Sequence, residues 1–98
     1  MAGFVQIIEF QTSRIDEFEA LIDEIVSQPG PMPVVRATLT EDRDRPGYYV
    51  NIVEFESYET AMENSNKPET AAMAERMGAL CDGPPKFYNL DVRRTDQT

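Results

Sequence analysis

The chain has 98 residues, of which 18 are acidic and 9 basic, and its net charge of −9 disfavours binding to nucleic acid or to an anionic membrane. No apolar run approaches the ~18 residues that span a bilayer and no secretory signal pattern is present, so we expect one cytoplasmic domain over residues 1–98. With no histidine and a single cysteine, Cys81, the sequence excludes an internal disulfide, a Ser-His-Asp or Cys-His site and a histidine-ligated haem.

Hydrophobic periodicity and turn residues predict the secondary structure. The predicted elements, in chain order, are a strand over 3–10, a helix from about 14, a proline-rich loop over 28–33, a strand over 34–40, a strand over 48–56, a helix that is broken over 64–68, and a strand over 86–93. Thr12 and Ser13 offer capping hydroxyls for the first helix, Ser57 is predicted to cap the second, and Pro46-Gly47 predicts a hairpin turn. The last helical piece is predicted to have a buried apolar stripe that includes Met73 and Met77.

One seven-residue segment occurs twice. Phe4 to Phe10, FVQIIEF, returns as Tyr49 to Phe55, YVNIVEF, with four identities. Each copy leads into a helix start, which indicates two copies of a βαβ unit. With right-handed crossovers, the order β-α-β-β-α-β predicts an α+β, ferredoxin-like fold with an antiparallel four-stranded sheet covered on one face by helices.

Strand alternation predicts what the two sheet faces carry. One face carries alternate residues of both repeated strands, namely Phe4, Gln6, Ile8, Phe10, Tyr49, Asn51, Val53 and Phe55. The other face carries Val5, Ile7, Val50 and Ile52. Since the helices cover only one face, this second apolar face predicts a homodimer with the sheets packed face to face. The alternative is a monomer with scattered apolar side chains on its surface.

The chain resembles the dimeric α+β barrel family. The resemblance lies in the element order, the repeated strands, the segment Phe55-Glu56-Ser57-Tyr58 and the closing strand from Phe87 to Val92. Within that family the chain is similar to small proteins grouped with antibiotic-biosynthesis monooxygenases. The resemblance implies a homodimer that oxidises an aromatic or quinol-like molecule between sheet and helices, with no metal, flavin or other cofactor. A haem-degrading branch of the family uses a histidine, which this chain lacks.

Gln6 and Asn51 are the leading candidates for a ligand pocket. The repeat predicts these two amides on neighbouring strands of an otherwise apolar face, where they would orient a carbonyl or a phenol. The alternative is that they bond each other or a water and only fix the strand register, because a buried amide without a partner is costly. Tyr49 and Phe55 share this face and are candidates for holding a flat aromatic ligand.

Arg36 and Asn89 complete the candidate set. A strand arginine would supply a cation for an anionic substrate or intermediate, or it would pair with Glu9, Glu54 or Asp91. Cys81 is predicted to be an inert, packed thiol.

Two functions therefore remain open from the residues themselves. One is a cofactor-independent monooxygenase acting on a small aromatic molecule, as the resemblance implies. The other is a non-catalytic module for small-molecule binding or assembly, which the lack of histidine and of a clear general base favours.

Overall fold

The computed structural model describes residues 3–27 and 33–96. The strands are β1 (Phe4–Gln11), β2 (Val34–Glu41), β3 (Tyr48–Phe55) and β4 (Lys86–Asp91), and the helices are α1 (Ile15–Val26), α2 (Tyr58–Ser65) and α3 (Pro68–Ala79). Most element bounds agree with the prediction within one residue, but β4 ends two residues before the predicted 93. Of the proline-rich segment, residues 28–32 lie outside the described part of the chain.

The four strands form one antiparallel sheet in the order β2-β3-β1-β4. The two repeated segments are the central pair, and their register joins Phe4 to Phe55 and Phe10 to Tyr49. Each copy of the repeat is therefore aligned on the other in reverse, which gives the centre of the sheet an approximate twofold symmetry. The predicted ferredoxin-like βαββαβ fold of the α+β class is confirmed, with the second helix in two pieces.

The two helix starts differ from each other. Ser57 caps α2 as predicted, because its hydroxyl accepts a hydrogen bond from the Thr60 backbone N–H at 3.1 Å. Of the two hydroxyls predicted for α1, that of Ser13 does not cap the helix, since Arg14 occupies the N-cap without a side-chain cap bond. The hydroxyl of Thr12, buried at 2% exposure, instead accepts the N–H of Arg14 at 3.0 Å.

That same Thr12 hydroxyl ties the start of α1 to the end of α3. It donates to the Leu80 backbone carbonyl at 2.6 Å, and the Arg14 guanidinium donates to the Ala79 carbonyl at 2.8 Å. The carbonyls at a helix C-terminus have no partners within the helix, so these bonds satisfy groups that would otherwise need water. The two helices are thus held together at one end of the sheet.

The β2–β3 hairpin depends on Gly47. Its φ of +90° lies in a region that L side chains rarely adopt, and its carbonyl accepts a hydrogen bond from Thr12 N–H at 3.0 Å. The turn therefore fixes the hairpin and also joins it to the end of β1.

The core consists of two separate clusters on the helix-covered face. The first joins Phe4 and Phe55 to Ala61 of α2. The second joins Phe10 and Tyr49 to Phe18 of α1, with Met77 and Leu80 packed against it. Each end of the repeated strands thus contributes one aromatic pair to one cluster.

The helices are unequally anchored. Phe18 and Leu21 are the buried residues of α1, whereas α3 has none. The prediction of a buried stripe in α3 therefore overestimated its burial, because Met73 and Met77 are only half-buried. None of the helices in the described part of the chain is long and apolar enough to cross a membrane.

Candidate functional site

The middle of the helix-covered face lies between the two core clusters and is only half-buried. We call its four side chains, Gln6, Ile8, Asn51 and Val53, the central floor. Their neighbours along the strands are the buried Phe4, Phe10, Tyr49 and Phe55. Val53 packs against the first core cluster and Ile8 against the second, so the two amides are the polar groups of a half-buried, otherwise apolar surface.

Gln6 and Asn51 lie on the same face as predicted, but they are diagonal neighbours. Gln6 is directly opposite Val53, and Asn51 is directly opposite Ile8. In an antiparallel pair, diagonal positions are farther apart than direct partners. The amides therefore do not form the pair that the repeat alone suggested.

Gln6 is instead fixed by Asn89. The two residues face each other in the register of β1 and β4, and the Gln6 Nε2 amide donates to the Asn89 Oδ1 at 3.1 Å. This bond leaves the Gln6 Oε1 oxygen and the Asn89 amide nitrogen available as an acceptor and a donor. The structure thus brings together two of the sequence-predicted candidates that come from opposite ends of the chain.

The Asn51 amide takes part in none of the side-chain hydrogen bonds found among residues 3–27 and 33–96. It lies between Leu39 on β2 and Ile8 on β1, both apolar. A half-buried amide in apolar surroundings retains its capacity to donate and to accept, and this capacity is available to a ligand.

Aromatic side chains bound the central floor at both ends. Phe10 stacks on Phe18 with ring centroids 4.4 Å apart and on Tyr49 at 5.7 Å. At the other end the Phe4 ring lies 6.2 Å from Phe55. These rings supply flat apolar walls of the kind that hold an aromatic ligand.

Tyr49 is a neutral hydrogen-bonding group at physiological pH. Burial raises the pKa of its phenol, and the nearby carboxylates of Glu41, Glu19 and Asp16 raise the pKa further. A phenol with a raised pKa does not act as a base near neutrality, and Glu41 competes with a ligand for the hydrogen bond from its O–H.

Arg36 lies on the opposite, helix-free face. Its Nε donates to Glu54 Oε2 at 2.6 Å and its Nη2 to Glu54 Oε1 at 3.4 Å. This ion pair is one of the alternatives that the sequence left open. Arg36 is therefore not brought together with the other candidates, which are Gln6, Asn51, Tyr49, Phe55 and Asn89.

A surface groove of about 470 Å³ runs between α1 and α3. Its lining includes Leu21, Leu80 and an ion pair in which the Arg76 guanidinium contacts both carboxylate oxygens of Glu24 at 3.0 and 3.1 Å. Sequence reasoning missed this pair, because no local spacing links residues that far apart in the chain. The groove is not lined by Gln6 or Asn51.

The chemistry available at the site comes from amides, a phenol and aromatic rings. Within the described residues no cluster of three or more acidic, cysteine or histidine side chains could hold a metal ion. Burial, followed by the charge of Asp82, raises the pKa of the Cys81 thiol, so this residue is a poor nucleophile near neutrality.

The element order, the sheet order and the pairing of the repeated strands define a ferredoxin-like fold of the α+β class. No family model and no curated protein match the chain. Among solved structures, an asparagine-to-alanine variant of SnoaB, a cofactor-independent oxygenase from Streptomyces nogalater, matches with a TM-score of 0.78 and 21% identity over 97% of each chain.

A second match is the ActVA-Orf6 monooxygenase of Streptomyces coelicolor, solved in complex with nanaomycin D. It has a TM-score of 0.76 and 21% identity, and the alignment covers 99% of this chain and 93% of that one. A structure described as an antibiotic biosynthesis monooxygenase matches with a TM-score of 0.67 and 14% identity over 93% of this chain and 99% of that one. The resemblance inferred from the sequence is therefore confirmed at the level of the fold.

Proposed function

We propose that this protein binds an electron-rich, phenol-like or quinol-like aromatic molecule on the central floor and promotes its oxygenation without a metal or an organic cofactor. The observation that carries the proposal is the half-buried floor itself, in which the Asn51 amide lies between two aromatic clusters. The fold shared with a cofactor-independent oxygenase adds support.

In this proposal Asn51 hydrogen-bonds the oxygen substituent of the ligand. Gln6, held by Asn89, offers a second polar group in a fixed orientation. Tyr49 and Phe55 bound the ring of the ligand at the two ends. Fixed amide donors stabilise negative charge that develops on a phenol oxygen, since they need no reorganisation during the reaction.

The reaction that this arrangement suits is the conversion of a phenol to a quinone by molecular oxygen. The ring carbon opposite the hydroxyl loses its hydrogen and becomes a carbonyl carbon with one oxygen atom of O₂. The second oxygen atom leaves as water, and the substrate supplies all four electrons. The protein's part is to orient the ring and to hydrogen-bond its oxygen substituent through fixed amide groups.

We further propose that the protein is a cytoplasmic homodimer that pairs through the helix-free face. The centre of this face is apolar, with Val5, Ile7, Val50 and Ile52, and each of these is only half-buried within one subunit. Covering an apolar face in this way contributes roughly 25 cal/mol for each Å² removed from water. A second copy offers an identical, self-complementary surface.

The charged rim of the helix-free face is consistent with pairing. Arg36 is bonded to Glu54, and Arg45 contacts both Glu9 and Asp42. Arg36 neutralises Glu54, and Arg45 offsets one of its two carboxylate partners, so two copies can approach with less repulsion than the net charge suggests. Sedimentation velocity should give a dimer, and Ile52→Glu should give a monomer, because a carboxylate would be buried without a partner.

The second candidate function is ligand binding without catalysis. Two observations favour it: Tyr49 is a neutral phenol rather than a base, and the Gln6 amide is partly engaged by Asn89. Binding and turnover must therefore be measured separately.

The experiment combines calorimetric binding with oxygen uptake for a panel of hydroxynaphthalenes and quinols. We expect at least one to bind and to be oxidised, with turnover lowered about tenfold or more in Asn51→Ala through loss of a hydrogen bond in a dry site. Asn66→Ala, at an exposed asparagine after α2, is the matched control and should behave as wild type. Binding without oxygen uptake would favour the second function, and absence of binding would refute both.

A further inference from the structure

The floor of the candidate site contains no cation. Along the four strands, the side chains that face the helices are apolar, aromatic or amide-bearing except for two carboxylates. Glu41 is opposite Tyr49 at the edge of β2, and Asp91 is opposite Phe4 at the end of β4. Residues directly opposite each other in a sheet lie on the same face, so both carboxylates border the helix-covered side.

The nine lysines and arginines of the chain all lie outside these helix-facing strand positions, which belong to the described residues. Five of the nine form ion pairs, namely Arg14, Arg36, Arg45, Arg76 and Arg94. Lys86 lies over the Tyr88 ring, on the helix-free face. Arg43 lines a surface depression together with Glu41 and Asp42. Lys67 is the N-cap of α3, and Arg93 follows the end of β4. Residues 1–2, 28–32 and 97–98 include no lysine or arginine.

The helices add no positive charge toward the floor. Their inward side chains in the described residues are apolar, including Phe18 and Leu21 of α1 and Ala61 of α2. The carboxylates of Glu41, Glu19 and Asp16 lie close enough to the Tyr49 hydroxyl to oppose a negative charge there, as the raised pKa of that phenol reflects.

From this charge distribution we propose that the site accepts an uncharged aromatic ligand and rejects an otherwise identical ligand that carries a carboxylate. The inference rests on the proposed function, because it names the class of molecule that the central floor binds. A carboxylate entering the site would lose water without gaining a cationic partner. It would also be repelled by Glu41 and Asp91 and by the net charge of −9.

The test uses two probes of equal shape, a hydroxynaphthalene carboxamide and the carboxylate with the same substitution pattern. Isothermal titration calorimetry at neutral pH should show the carboxamide binding about tenfold or more tightly, the effect expected of one or two carboxylates several ångströms away. Raising the ionic strength should strengthen binding of the carboxylate and leave the carboxamide unchanged, since salt screens the repulsion.

Two variants assign the effect to the site. Glu41→Gln should reduce the preference for the carboxamide several-fold. Glu63→Gln changes the net charge equally at an exposed position of α2 and should leave the preference unchanged. Glu41 is exposed, so its substitution should not disturb folding, which circular dichroism will verify.

Each outcome decides the matter. Equal or tighter binding of the carboxylate would overturn the inference while leaving the proposed function intact. An equal change of preference in the Glu41→Gln and Glu63→Gln variants would also overturn it. If neither probe binds, the proposed function fails and the inference fails with it.

Discussion

Replacing Phe18 by alanine should detach α1 from the sheet and cost about 3–5 kcal/mol of unfolding free energy, the range for a buried phenylalanine. Phe18 is 4% exposed, and its ring stacks on Phe10 at 4.4 Å with an interplanar angle of 18°. It is one of only two buried residues in α1, so little else compensates for its loss. The cost is a large fraction of the ~5–15 kcal/mol that stabilises a typical domain.

Urea unfolding followed by circular dichroism, at one fixed protein concentration, measures the effect. The concentration must be fixed because dimerisation would shift the apparent stability. Val26→Ala provides the control on the same helix, since Val26 is 57% exposed and its truncation should change the free energy by at most ~0.5 kcal/mol. If Phe18→Ala cost no more than Val26→Ala, the reasoning that α1 is held through the aromatic stack would be refuted.

Three further predictions concern a turn, an ion pair and the thiol. Gly47→Ala should destabilise by about 1–2 kcal/mol because its φ of +90° strains any side chain, and an unchanged thermal midpoint would contradict this. The hydrogen bond and charge of Arg76 hold the pKa of Glu24 below its ordinary value of 4.5. The stabilisation from this ion pair is therefore present above pH 4.5 and should be lost as the pH falls through the lowered pKa. The urea midpoint of Glu24→Gln should depend less on acid pH than that of the wild type, and identical profiles would count against the pair. Cys81 should react with an aromatic disulfide more slowly than a free cysteine peptide at pH 8, since its pKa is raised, and a faster reaction would disprove this.

The repeat made the centre of the sheet predictable. Two similar strands, each followed by a helix start, have to pair antiparallel in a ferredoxin-like order, and alternation then assigns Phe4, Phe10, Tyr49 and Phe55 to the helix-covered face. The face carried by Gln6 and Asn51 could be predicted for the same reason. What alternation does not specify is which residues are directly opposite each other.

Features at the sheet edges were less predictable. Gln6 meets Asn89 because β4 pairs with β1 in a register that no local signal specifies. A register shift between Val34 and Arg36 lets Val34 pack on the first core cluster while Arg36 lies on the opposite face with Glu54. A bulge of this kind changes which side a residue faces, and simple alternation does not detect it.

The limited burial of α3 has a similar origin. Its methionines occur at helical spacing, which indicates a buried stripe, but the helix contacts the second core cluster mainly near its end, through Met77 and Leu80. Sequence periodicity reports which side of a helix faces inward. It does not report how closely the helix approaches the sheet, which tertiary packing determines.

The most direct test of the central floor as a ligand site is a heteronuclear NMR titration with an uncharged hydroxynaphthalene carboxamide. We expect the largest chemical-shift changes at the Asn51 and Gln6 side-chain amides, accompanied by the backbone amides of β1 and β3 around them. Changes confined to the groove between α1 and α3 or to the helix-free face, or no changes at saturating ligand, would contradict the account.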